Sequence, residues 1–137
     1  MADSFQLEVA TPERQLVNEH ALRSQIPTPD GYIGVLPDHA ALISELGIGV
    51  LSFSNTHDQQ FALAVREGFI EIRDNHVRVV ADKAEFGNEV RREQAEQELQ
   101  NAEQAMMHPG AETDTREAVA RYKHAQARVD ASRESAA

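Results

Sequence analysis

From Phe5 to about Asp82 apolar and polar residues alternate: in "FQLEV", Phe5, Leu7 and Val9 are separated by Gln6 and Glu8. A period of two is strand spacing, because successive side chains of an extended chain point to opposite faces. The same spacing places Leu22 with Ile26 in "ALRSQI", Phe61 with Leu63 and Val65 in "FALAV", and Ile70 with Ile72 in "FIEI". Turn-forming clusters separate the runs, "SNTHD" before "QQFALAV" and "RDNH" before "VRVVA". Many short alternating strands joined by frequent turns predict an antiparallel β-sandwich or barrel over residues 1–85.

After Asp82 the period changes, and the stretch from Phe86 onward is rich in Ala, Glu, Gln and Arg, good helix formers. Pro109 and Gly110 divide it in two. Phe86, Val90, Leu99, Ala102 and Met106 can share one face of the first helix; Ala118, Tyr122, Ala125, Val129, Ser132 and Ala136 form a seam on the second. Asp114, with Glu117 three residues on, has the spacing of a capping pair. The fold class is α+β: the sandwich, then an antiparallel two-helix hairpin over residues 86–137. The seam is alanine and serine, which bury little area, and exposed ion pairs each contribute about 0.2–1 kcal/mol. The hairpin is therefore expected to be a weakly held element that can change its packing partner.

Composition narrows the function. A chain of 137 residues with formal charge −10 repels a phosphate backbone, which argues against nucleic acid as a partner. With no cysteine there is no disulfide, thiolate metal site or thiol nucleophile, and the six histidines show no H-x-H or H-x-x-x-H pairing. "MADSFQLEVA" lacks a basic and then apolar leader, and no apolar run approaches the roughly 20 residues that span a bilayer. A soluble protein is expected, one able to attach to membrane-bound partners.

The segment "DGYIGVLPDHAAL" interrupts the apolar run with Gly31, Gly34 and Pro37 and sets Asp38 beside His39. Glycine and proline there describe a shaped backbone path, for catalysis or for docking. Adjacent residues seldom bring their side chains together, and no suitably flanked serine nucleophile accompanies the pair, so docking is the better reading. Gly47 and Gly49 in "LGIGVL" lack the third glycine of a dinucleotide fingerprint and read as a bend or bulge in a strand. The arginines of the second helix read as a solvated face. Residue patterns alone reach a β-domain with a mobile hairpin, an interaction protein; a free-standing adaptor and a small hydrolase using His39 stay open.

The order of pieces resembles the epsilon subunit of F-type ATP synthases over nearly the whole chain. A G-x-x-G-x-x-P-x-H loop is matched by Gly31, Gly34, Pro37 and His39, and a G-G-x-x-E-[IV] hairpin ending in V-x-V-L-A-D is matched by Gly68, Glu71, Val77, Val79, Ala81 and Asp82. The sequence departs from the family pattern at Tyr32, Asp38, Ala41, Arg66 and Glu67. The resemblance implies a noncatalytic rotor subunit that binds the gamma subunit and the c-ring through Gly31, Tyr32, Gly34, Pro37, Asp38 and His39. It further implies a hairpin that extends toward the catalytic alpha and beta subunits and restrains ATP hydrolysis; the basic surface of the second helix, Arg116, Arg121, Lys123 and Arg128, is then expected to meet an acidic segment of the beta subunit. The location implied is peripheral, on the cytoplasmic face of a bacterial plasma membrane or the stromal face of a thylakoid. Relatives that bind ATP carry I/L-D-x-x-R-A; Val90, Arg91, Gln94 and Ala95 stand at its hydrophobic, Asp, Arg and Ala positions, so no nucleotide cofactor is expected.

Overall fold

The structure, a computed structural model, describes residues 1–108, 110 and 114–134. Six strands come first: β1 (Phe5–Ala10), β2 (Gln15–Thr28), β3 (Gly31–Val35), β4 (Leu42–Asn55), β5 (Gln60–Arg73) and β6 (His76–Phe86). A short 3-10 turn, Gly87–Glu89, leads to helices α1 (Arg92–Met107) and α2 (Thr115–Glu134). The sheet order is β1-β6-β5-β4-β2-β3, and β1 also pairs with β2, so the sheet closes into a flattened barrel-like sandwich. Pairing is antiparallel except between β1 and β6, which run parallel, a detail the purely antiparallel expectation lacked.

Three neighbouring strands exchange their inward faces along one line. Leu63 and Val65 point into the core before it on β5, and Ile70 and Ile72 after it. On β6, Val77, Val79 and Ala81 give way to Ala84 and Phe86; on β4, Leu42 and Leu46 give way to Leu51 and Phe53. The ladders skip Gly47, Glu67 and Asp82 at this line. There the sheet turns from one layer to the other, the device by which long strands form a sandwich corner. Gly68 makes it sterically possible: its φ is 140°, and a Cβ would lie 1.9 Å from the Val80 carbonyl oxygen. Glu67, at φ 56°, takes the adjoining left-handed position.

The bend expected at "GIG" is thus at Gly47, while both glycines also make room for the β2–β3 hairpin. A Cβ on Gly47 would sit 2.7 Å from the Thr28 backbone, and one on Gly49 2.5 Å from the Tyr32 hydroxyl oxygen. Leu22 does not join Ile26 on the core face. A register shift between Ala21 and Arg23 turns Ala21 inward instead, fully buried.

The hairpin is folded onto the sheet. Arg92, at the start of α1, reaches Ser132, near the end of α2, which makes the two helices antiparallel. Ala127 and Ala131 of α2 pack on Ala62 and Ala64 of β5, with Val50 alongside. Ala118, Ala125, Val129 and Ser132 are also buried, as the seam predicts, and Tyr122 is half-buried. Phe86 and Val90 do not belong to the α1 seam: Phe86 ends β6 and Val90 follows the 3-10 turn. The buried residues of α1 are Ala95 and Ala102. Pro109 and Ala136 lie outside the described residues.

Candidate rotor-docking surface and hairpin interface

The segment read as a shaped loop divides into a strand and a loop. Gly31–Val35 is β3, paired only with β2 and so an edge strand, and only the residues from Leu36 to Ala41 are irregular. Gly31 has φ 130° in the tight turn after Asp30, a conformation that favours glycine. Gly34 has no such requirement: its φ is ordinary, and a Cβ there would meet nothing within 4 Å. The shaped backbone path expected of these glycines therefore holds at Gly31 and not at Gly34. Gly34 borders a cleft of about 440 Å³ lined also by Arg23, Leu36, Phe53 and Phe61.

Tyr32 folds back rather than outward: its hydroxyl accepts a hydrogen bond from the Val50 N–H at 3.0 Å over Gly49. Asp38 does not pair with His39. The Asp38 carboxylate accepts from Asn75 Nδ2 at 2.9 Å and from the Ala2 N–H at 3.1 Å, while the Asp38 N–H donates to Asn75 Oδ1 at 2.6 Å. The Asn75 bond, then that from Ala2, holds its carboxyl below the usual carboxylate range. His39 donates through Nδ1 to the Ala40 carbonyl at 2.7 Å. The acid and the imidazole are each committed to structure, which leaves no catalytic pair. Asp38 has φ 67°, which explains why glycine or asparagine suits this position.

Exposed apolar side chains flank this end of the sandwich. Leu36 is 62% exposed and Ile43 79%. Phe69 stands diagonally across from Ile43, since Glu45 pairs with Phe69 and Ile43 with Glu71. Sequence alternation hid Phe69, which directly follows the face change at Gly68.

Of the four basic residues assigned to the second helix, the structure engages two. Arg128 pairs with Glu85 at the end of β6, and Arg121 with Glu98 of α1 at 2.9 Å. Arg116 and Lys123 are exposed and form no ion pair with a described residue. Arg66, only 13% exposed at its side chain, holds Glu117 of the first turn of α2 at 2.7 Å. Asp114 caps that turn, accepting from the Arg116 N–H at 3.0 Å and the Glu117 N–H at 3.4 Å, which is half of the expected capping pair; the Glu117 carboxylate is used across the interface instead. Arg66 and Glu85 were missed because their partners lie 51 and 43 residues away.

The hairpin's stem is fixed separately. Arg14, in the β1–β2 turn, clasps Glu89 with two bonds of 2.8 and 3.2 Å, and Glu89 also accepts from the Phe86 N–H. The bond from Arg14 is the main cause holding the Glu89 carboxyl below its usual range. The chain is thus secured to the sheet up to Glu89, and Val90–Arg91 is the link beyond it.

Among the described residues, no three His, Asp or Glu side chains are placed to hold a metal, and no helix is long and apolar enough to cross a membrane.

With this geometry in place, comparison with known proteins is informative. The family model of the ATP synthase, Delta/Epsilon chain, beta-sandwich domain matches residues 4–87. The ATP synthase epsilon chain of Solibacter usitatus is 40% identical over 129 residues, 94% of this chain and 96% of its own. The chloroplastic ATP synthase epsilon chain of Pelargonium hortorum is 36% identical over 128 residues, 93% and 96% of the two chains. Among solved structures, a chain of the Euglena gracilis mitochondrial ATP synthase (OSCP/F1/c-ring) superposes with a TM-score of 0.80 at 19% identity, covering 92% of this chain and 79% of that one, which shows the shared fold. The sequence match runs through both the sheet and the helical hairpin of relatives nearly fully covered, and the chain belongs to the family of ATP synthase epsilon chains.

Proposed function

We propose that this chain is a noncatalytic subunit of the rotating central stalk of a proton-translocating F-type ATP synthase, peripheral to the membrane. It transmits c-ring rotation to the catalytic head and restrains ATP hydrolysis through its hairpin. The observation that carries the reading is the likeness to epsilon chains along the whole length, sandwich and hairpin together. The structure supports its mechanical side. The cleft beside Gly34, lined also by Leu36 and open to a partner backbone, is the surface offered to the gamma subunit, and the exposed Ile43 and Phe69 are offered to the c-ring. Large apolar side chains exposed side by side, as Ile43 and Phe69 are, suit a surface covered in an assembly. Pro37 and the Asp38–Asn75 clamp fix the loop beforehand, which lowers the entropy lost on docking.

Restraint of hydrolysis requires the hairpin to leave the sheet and reach the alpha and beta subunits. An interface of alanines with a few ion pairs suits reversible release, and Val90–Arg91, just beyond the Arg14–Glu89 clasp, is the pivot. Release from the sheet frees Arg128 from Glu85, and parting of the two helices frees Arg121 from Glu98, so that with Arg116 and Lys123 they present a basic stripe to acidic groups on the beta subunit. The test is an assembled complex in which the chain ends at Glu85. Assembly should be intact and ATP hydrolysis faster; hydrolysis at the full-length rate under every condition would refute restraint by the hairpin. The cytoplasmic face of a bacterial membrane is the location proposed, with the thylakoid stroma as the alternative.

A further inference from the structure

His124 is a titratable group in the hairpin interface to which no role has been given. It lines a cleft of about 400 Å³ between β6, α1 and α2, with Glu85, Gln94, Glu98, Arg121 and Arg128 as neighbours. Every element packed around it brings charge: Arg66 from β5, Lys83 and Glu85 from β6, Arg121 and Arg128 from α2, and Glu98 from α1. Glu85 and Glu98 are already committed, to Arg128 and Arg121. Arg66 is committed to Glu117. A neutral imidazole fits among these closed pairs, whereas a cation there faces Arg66, Lys83 and Arg128 with no unshared acid to meet it.

We propose that His124 makes the seating of the hairpin acid-sensitive: the neutral ring permits the closed interface, and its protonation drives α1 and α2 off the sheet. This rests on the reading above only for the hairpin's ability to leave. Burial first, then the Arg66, Lys83 and Arg128 charges, push the His124 pKa from 6.5 down to about 4, with Glu85 opposing. In the released hairpin the ring returns to an ordinary histidine value. The released form therefore binds the proton more tightly, and seating is complete above pH 6.5 and declines as the pH falls toward 4. Between pH 7.5 and 5.5 the ratio of seated to released hairpin should fall about fivefold to tenfold, the lower figure allowing for solvent screening of a ring that is not fully enclosed.

Because the chain has no cysteine, two introduced thiols, Arg73→Cys on β5 and Glu103→Cys on α1, can carry a fluorescent pair without side reaction. Acidification of the full-length chain from pH 7.5 to 5.5 should lengthen the pair distance in a growing fraction of molecules, and His124→Gln should flatten that response. An unchanged distance distribution in the parent, or an equal response in His124→Gln, overturns the proposal. Should the variant fail to seat its hairpin at pH 7.5, the imidazole titration of the unsubstituted chain by NMR decides instead. A midpoint below about 6 is expected, and one at about 6 or above overturns it. Hydrolysis takes no part in either readout, so failure here is distinct from failure of the hairpin as a restraint.

Discussion

Asp38 and Asn75 grip each other from both ends: the Asn75 amide donates to the Asp38 carboxylate at 2.9 Å and its oxygen accepts the Asp38 N–H at 2.6 Å. Asn75 itself sits in the β5–β6 turn with φ 61°, so two left-handed residues from distant turns lock one end of the sandwich. Asp38→Leu removes the acceptor and places a bulky side chain at φ 67°. Amide exchange from Leu36 to Ala41 should quicken while the strands stay protected. In the parent, Asp38 is held below its ordinary 3.8, so the clamp should persist at neutral pH and open only as the pH falls below that value. Loop amide shifts followed by NMR across acid pH test the sign.

Adjacent corner residues should respond oppositely to substitution. Gly68→Ala puts a Cβ into the Val80 carbonyl at a φ that side chains avoid, and should cost about 3 kcal/mol or more, a fall in Tm above about 10 °C. Glu67→Gly relieves a left-handed residue and should leave stability within about 1 kcal/mol of the parent. Calorimetric melting of the two variants separates corner geometry from general sensitivity of β5.

The hairpin seat is a contact of small residues, so enlarging one should lift it. Ala131→Leu, at a fully buried position against Ala62 and Ala64, should weaken seating by about 1–3 kcal/mol. Exchange protection of α2 should drop while β4 and β5 keep theirs; loss of protection throughout would mean that sheet and hairpin unfold as one unit.

Strand spacing, the change of period after Asp82 and the capping Asp114 were all legible because they depend on neighbours in sequence. "FALAV" and "FIEI" were read as separate runs, yet they are one strand, β5, whose inward face changes at Glu67 and Gly68. A period of two cannot survive such a change, so the corner looked like a break. Asp38–Asn75, Arg66–Glu117 and Arg128–Glu85 join residues 37, 51 and 43 apart, and no local pattern announces them. Glycines mark the segment proposed for docking, but only Gly31 needs its conformation, whereas Gly34 has space that its own chain does not use.

Nucleotide binding should be weak or absent. Gln94 and Arg91 are exposed at the start of α1, where a neutral amide replaces the forked donor and a base replaces the acceptor of the ATP-binding pattern. Calorimetric titration of the isolated chain with Mg-ATP should give no saturable heat in the micromolar range. Saturable micromolar binding lost on Arg91→Ala or Arg92→Ala would show that those two bases hold the phosphates after all.

Assembly is the most direct test of the central claim, and recovery of the tagged full-length chain from gently solubilised membranes measures it. The account predicts gamma subunit and c-ring in stoichiometric amounts with the parent chain, and their loss with Gly34→Val, whose melting temperature should stay close to the parent's because a Cβ at Gly34 meets nothing within 4 Å. Recovery of the parent chain alone, with different partners, or with turnover of its own would contradict it, and full recovery with Gly34→Val would remove that face from the contact.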